Sequence, residues 1–218
     1  MNLTLELETF LNEFAMRVPL PRQRIIERSI RALAATGIAE RALKAGQQAP
    51  EFSLPDAEGN LVTLAQVRQQ SPVVLIFFRG VWCPFCNLML RAYQERLPDF
   101  QRAGAGLVAI SPQSRSMLRR TAQRNRLSFT LLSDHGCAVA ADYGLAYELD
   151  EELAALYRKV GDPATDYNAA GDWVLPIPSV FLVDQQGKVA LAHVEPDFRR
   201  RLNPDAVLKS LAQWQGAA

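Results

Sequence analysis

The sequence predicts an α/β protein: a central mixed β-sheet flanked by helices, with a helical extension at the N-terminus. Three observations predict it. Residues 73–78 (VVLIFF) form an unbroken apolar run of β-branched and aromatic side chains, the pattern of a strand buried on both faces. Beyond residue 46, short apolar runs alternate with helix-period segments, which calls for some parallel strand pairs. Residues 180–183 and 189–194 flank a turn at Gln185-Gln186-Gly187 and read as a hairpin.

Residues 1–45 read as the helical extension and 46–218 as the α/β domain. Leu3, Leu7, Phe10, Leu11 and Phe14 share one helical face, with Glu6 and Glu8 near the start and Arg17 near the end, as the helix dipole favours. Pro19 and Pro21 end that helix. A second helix opens at Pro21, carries Ile25, Ile26, Ile30, Leu33 and Ala34, and stops at Thr36-Gly37. Their amphipathic faces are expected to pack on their own domain, with a homodimer as the alternative. Residues 46–50 form a turn-rich hinge. Helices are expected over 84–100, 114–126, 138–143, 151–159 and 204–214, and strands over 107–110 and 130–132. Residues 161–172, rich in Gly, Asp, Ala and Pro, read as a loop.

The chain has 218 residues and a formal net charge of +1, so nothing in its charge balance draws it to nucleic acid or a membrane surface. No apolar run is long enough to span a bilayer. The leucine-rich N-terminus is interrupted by Glu6, Glu8 and Glu13 and has no preceding basic residue, so no secretory signal is expected. Arg199-Arg200-Arg201, beside Glu195, Asp197 and Asp205, reads as a solvated face. Three cysteines, two of them close together, suit a reducing cytoplasm.

The chemistry concentrates in residues 77–86, where a buried strand ends, turns and enters a helix. Cys83 is expected just before the helix N-terminus, where free N–H groups and the dipole favour a thiolate, with Arg79 close by. Pro84 suits the first turn. Cys86 lies within one helical turn, so the two sulfurs are able to form a small disulfide. Cys83 is then the exposed nucleophile and Cys86 the enclosed partner. A Cys₃His zinc site from Cys83, Cys86, His135 and Cys137 is the competing arrangement, although structural zinc usually sits between short ligand-bearing loops. Cys137 alone reads as a small, partly buried residue, and His193 as a strand residue.

Trp82-Cys83-Pro84-Phe85-Cys86 resembles the thioredoxin and glutaredoxin active site. Ile177-Pro178-Ser179 is similar to the thioredoxin-fold segment whose proline is cis and faces the reactive cysteines. The wider chain, from about Gly46 onward, resembles the alkyl hydroperoxide reductase/thiol-specific antioxidant (AhpC/TSA) branch, the peroxiredoxins. The residues that carry this are Ala49-Pro50-Glu51-Phe52-Ser53-Leu54-Pro55-Asp56 with Gly59, Val108-Ala109-Ile110-Ser111-Pro112, and Phe181-Leu182-Val183-Asp184 with Gly187.

The resemblance implies a thioredoxin-like fold and an antioxidant thiol oxidoreductase cycling between a Cys83/Cys86 dithiol and disulfide. It implies no cofactor and no metal. Trp82, Pro84 and Pro178 would line the substrate site. The partners would be a thiol reductant (a thioredoxin-like protein or a small thiol) and a disulfide or peroxide. An ungapped match at Phe77-Phe78 sets Cys86 on the family's peroxidatic cysteine. Cys83 then stands where peroxiredoxins carry Thr or Ser, and Arg79 where they carry Pro. The family's arginine before the late strand is replaced near Pro178. Thiol–disulfide exchange and peroxide reduction both fit the cycle, and a non-enzymatic redox sensor is a third reading. Whichever holds, mild oxidation is expected to join Cys83 to Cys86 and leave Cys137 free. Mass mapping of the oxidised protein checks this, and a dominant bridge to Cys137 would contradict it.

Overall fold

The structure is a computed structural model, and it describes residues 2–160 and 166–216. Residues 161–165 of the expected loop lie outside them. α1 (Leu3–Arg17) has the apolar face read from the sequence: Leu3 and Leu7 are buried, and Phe10, Leu11 and Phe14 pack on the same core. Asn2 caps it by accepting from the Leu5 N–H at 3.3 Å. α2 (Leu20–Ala35) has proline in its first turn and buries Ile26 and Ile30. Gly37, with φ +68°, turns the chain into the short α3 (Ile38–Arg41).

The hairpin β1 (Ser53–Pro55) and β2 (Leu61–Thr63) leads into α4 (Leu64–Arg68), which opens on a capping box between Thr63 and Gln66. β3 (Val73–Phe77) is buried at every position. The expected helix over 84–100 is two helices, α5 (Pro84–Glu95) and α6 (Leu97–Arg102). Pro98 explains the break, because it lacks an N–H and its ring crowds the carbonyl one turn back. The chain continues through β4 (Gly106–Ser111), α7 (Arg115–Asn125), β5 (Thr130–Ser133) and α8 (Ala138–Asp142). Asp134 caps α8 by accepting from Val139 and Ala140, both at 2.9 Å. β6 (Ala146–Glu148), α9 (Glu151–Lys159) and β7 (Val174–Pro176) follow. β8 (Ser179–Val183), β9 (Val189–Val194) and α10 (Pro204–Gly216) complete the described chain.

The main sheet has the order β5-β4-β3-β8-β9, parallel from β5 to β3 and antiparallel from β3 to β9. Alternation along its strands divides the core in two. Val74, Ile76, Val180 and Leu182 face a layer that holds α1, α5, α9 and α10; Val73, Leu75, Phe181 and Val183 face α4 and α8. β3 is the central strand, and its C-terminal end delivers the chain into α5. α5 is buried on almost every side, with α1 lying against it.

The N-terminal helices pack on this domain, through Leu3, Leu7, Ile26 and Ile30. Fully burying one such leucine contributes about 1.5–3 kcal/mol. Leu7→Ala is therefore expected to destabilise the fold by about 2–5 kcal/mol, because it also leaves a cavity under α1. The urea midpoint, at unchanged slope, measures this.

Candidate active site

The loop from β3 to α5 is shaped by hydrogen bonds on both sides. Phe78 N–H still donates to Ile110 O at 3.0 Å, and Cys83 N–H closes a turn onto Gly80 O at 3.1 Å. Gly80 has φ +152°, and a Cβ there would lie 2.6 Å from the Trp82 indole nitrogen. Beneath the loop, Val81 donates its N–H to Gln113 Oε1 at 3.2 Å, and its carbonyl accepts from Asn87 Nδ2 at 2.7 Å. Gln113 is held by Thr121, and Asn87 by Asn125, which also accepts from Arg91. These buried polar groups fix where α5 begins.

Cys83 occupies the N-cap of α5, as the sequence predicts, but its thiol makes no capping hydrogen bond. It is also enclosed, at 1% exposure, with Cys86 at 0%. The expected exposed nucleophile is thus corrected: both sulfurs lie within the core that Phe85, Phe198 and the apolar faces of α1 and α2 share. Both cysteines are free.

The two thiols differ in ionisation. Burial pushes the Cys86 thiol up, but a hydrogen bond from Cys83, the Arg201 charge and a hydrogen bond from the Arg79 backbone outweigh it. Cys86 is held well below the usual thiol range. Arg201 Nη2 lies 3.6 Å from Cys86 Sγ. Burial, followed by the hydrogen bond to Cys86 and the Cys86 charge, holds Cys83 well above that range, against Arg79 and Arg201. The acidic sulfur is therefore the one inside the helix, not the one at its end.

A cavity of about 160 Å³ opens beside Cys83. Trp82 and Pro84 line it, together with Arg79, Phe14, Tyr157 and Phe198. Pro178 does not. It is buried at the same end of the sheet, just before Ser179, which pairs with Phe77. No peptide bond is cis among the described residues, so the expected cis proline is corrected to trans. Ile177 N–H donates to Leu145 O at 2.9 Å and Ser179 already pairs with Phe77, so backbone pairing is interrupted only at Pro178, and the bond there takes the ordinary trans form.

Cys83, Cys86, His135 and Cys137 are not brought together. Cys83 and Cys86 belong to the core on one face of the sheet and Cys137 to the core on the other, while His135 is exposed. Among the described residues no three His, Cys, Asp or Glu side chains are placed to hold a metal. Cys137 donates to Val174 O at 3.5 Å, and burial, then Asp134 and Asp172, push its thiol up. His193 is half-buried on β9.

Several site residues escaped the sequence reading. Of the arginine run, only Arg200 is the solvated residue expected. Arg199 pairs with Asp197 and Glu27, and Arg201 turns inward to Cys86. Asn87, Gln113 and Asn125 also carried no local signal.

Residues 45–192 match the family model described as AhpC/TSA family. The chain is 30% identical over 171 residues to peroxiredoxin Bcp of Escherichia coli K12, covering 78% of this chain and 97% of that protein. It is 32% identical over 131 residues to the chloroplastic peroxiredoxin Q of Triticum aestivum, covering 60% and 56%. Among solved structures, peroxidoxin BcpB from Mycobacterium tuberculosis superposes with a TM-score of 0.62 at 23% identity, covering 78% of this chain and 97% of that one. No helix among the described residues is long and apolar enough to cross a membrane. With the family match running from before β1 into β9, and a relative aligned over nearly its whole length, the chain belongs to the AhpC/TSA family of peroxiredoxins.

Proposed function

We propose that this thiol oxidoreductase reduces peroxides in a two-cysteine cycle in which Cys86 attacks and Cys83 resolves. The observation that carries the proposal is the Arg201 guanidinium turned inward onto Cys86, with Nη2 3.6 Å from its Sγ and Cys83 one turn away; that charge and a hydrogen bond from Cys83 lower the Cys86 thiol. The Cys86 thiolate attacks one peroxide oxygen and the O–O bond breaks. Cys86 becomes sulfenic acid, and the alkoxide or hydroxide leaves with a proton as alcohol or water. The Cys83 sulfur then attacks the sulfenic sulfur. A Cys83–Cys86 disulfide forms and water departs. Two equivalents of an external thiol, from a thioredoxin-like protein or a small thiol, restore the dithiol and leave as a disulfide.

Arg201 takes the place of the missing family arginine in this reading. Its Nη2 faces the attacking sulfur, where it stabilises the thiolate and the charge developing on the peroxide. The Cys83 thiol stands where the family carries a hydroxyl and donates to the same sulfur. Cytoplasmic residence and antioxidant duty fit a chemistry that needs a thiol reductant.

Thiol–disulfide exchange through Cys83 is the second reading. One observation favours it: Cys83, and not Cys86, lines the open cavity.

Stopped-flow oxidation by hydrogen peroxide separates the two. Cys83→Ser is expected to react once and stop at sulfenic acid on Cys86, while Cys86→Ser is expected to lose rapid reaction altogether. The exchange reading requires a mixed disulfide trapped at Cys83 in Cys86→Ser. Arg201→Gln is expected to slow the peroxide step by ~10-fold or more, from the loss of a hydrogen bond to a charged group.

The pH dependence follows from the direction of the Cys86 shift. A thiol of ordinary acidity loses its thiolate roughly 50-fold between pH 8.5 and 6.5. Cys86, held below that range, is expected to lose far less rate over the same window and to fall only in more acid solution. A rate that tracks an unshifted thiol would contradict the assignment.

A further inference from the structure

Arg79 leaves the end of β3 with its side chain fully buried. The guanidinium lies against two rings, with Cζ 4.6 Å from the centre of Trp82 and 4.3 Å from that of Phe198. Nη2 donates to the Tyr157 hydroxyl at 3.1 Å, and Nε and Nη1 have no partner, so among the described residues that hydroxyl is its one hydrogen-bond acceptor. A buried cation so poorly supplied with acceptors depends on the one it has for its place. Tyr157 is itself wedged. Its ring, on α9, lies 5.5 Å from that of Trp82 and stacks at 6.5 Å on Trp173, just before β7. Packing thus holds the ring, and the hydroxyl holds the cation.

The place of this cation matters to the sulfurs. The Arg79 N–H donates to Cys86, and the Arg79 charge favours the ionised form of both thiols. The other groups that face Cys86 are Cys83 on the adjoining turn, Arg201 before α10, and Tyr147 on β6, whose hydroxyl burial pushes up to about 12. Arg199, on the same cavity wall as Arg79, is answered by Asp197 and Glu27. Attraction between charges falls with distance and with access to water. We infer that Tyr157 is a positioning residue for the redox pair: its hydroxyl keeps the Arg79 guanidinium beside the cysteines and away from the cavity mouth at the exposed Pro84 and Val160. Two cations then serve the pair from different elements, Arg201 by its own contact with Cys86 and Arg79 through the hold of Tyr157. The inference rests on Cys86 as the attacking sulfur.

Tyr157→Phe keeps the ring and removes only the acceptor. The readout is the pH at which the peroxide step reaches half its maximal rate, followed by stopped flow on the full-length protein. Tyr157→Phe is expected to raise that midpoint by about 0.5–1 pH unit, as a cation drawn away from the sulfur would. Arg79→Gln is expected to raise it at least as far, and adding Tyr157→Phe to Arg79→Gln to change nothing more. Trp173→Phe, which alters the packing of Tyr157 and leaves its hydroxyl, is expected to keep the wild-type midpoint. An unmoved midpoint in Tyr157→Phe, an equal rise in Trp173→Phe, or a Tyr157 effect undiminished beside Arg79→Gln would overturn the inference. Should Arg79→Gln fail to fold, the contrast between Tyr157→Phe and Trp173→Phe decides it. Rapid oxidation that maps to Cys83 in the wild-type protein would sink this inference together with the assignment of Cys86. A Cys86 reaction whose midpoint ignores Tyr157 would sink this inference alone.

Discussion

A sulfur anion taken out of water needs replacements for its hydration, and at Cys86 they come from three parts of the chain. Cys83 donates from the adjoining turn, the Arg79 backbone donates from the end of β3, and Arg201 brings a full charge from the segment before α10. Desolvation alone would keep this thiol protonated. The lowering of the Cys86 thiol therefore depends on strand, helix and C-terminal segment staying in register. The core beneath them, with α5 enclosed on nearly every side, maintains that register.

The polar groups under the loop serve the same end. Gln113 and Asn87 clamp the N–H and the carbonyl of Val81, so the turn into α5 has little freedom to drift. Gly80 lets the Trp82 indole lie against the backbone, and the indole in turn covers one face of the Arg79 guanidinium. One strand end thus sets both the position of the two sulfurs and the charge of their surroundings.

Much of this was legible in the sequence. The buried run at 73–78, the helices at both ends and the late hairpin follow from periodicity and turn residues, and the cysteine pair from its strand-to-helix setting. What escaped had physical reasons. β6 and β7 are three residues each, joined across a long insertion, too short for a period to show. Pro98 was absorbed into one helix although its backbone chemistry divides two. Arg201, Gln113 and Asn125 reach the site only through tertiary folding, and nothing local distinguishes Arg201 from its solvated neighbour Arg200. The exposure expected of Cys83 at the helix end did not follow from its position, because the core closes over that terminus and the thiol makes no capping hydrogen bond there. At Pro178, a likeness in sequence carried no information about the isomer.

The sheet has one more effect, on oxidative damage. Cys137 sits in the core on the far face from the working pair, with five hydrogen-bonded strands between them. Local fraying of a loop or helix end does not bring these sulfurs into contact; the strands themselves must separate. Wrongly paired disulfides then accumulate only as fast as the whole domain opens. In this protein scrambled thiols become a clock for global unfolding, not for the small motions of the site.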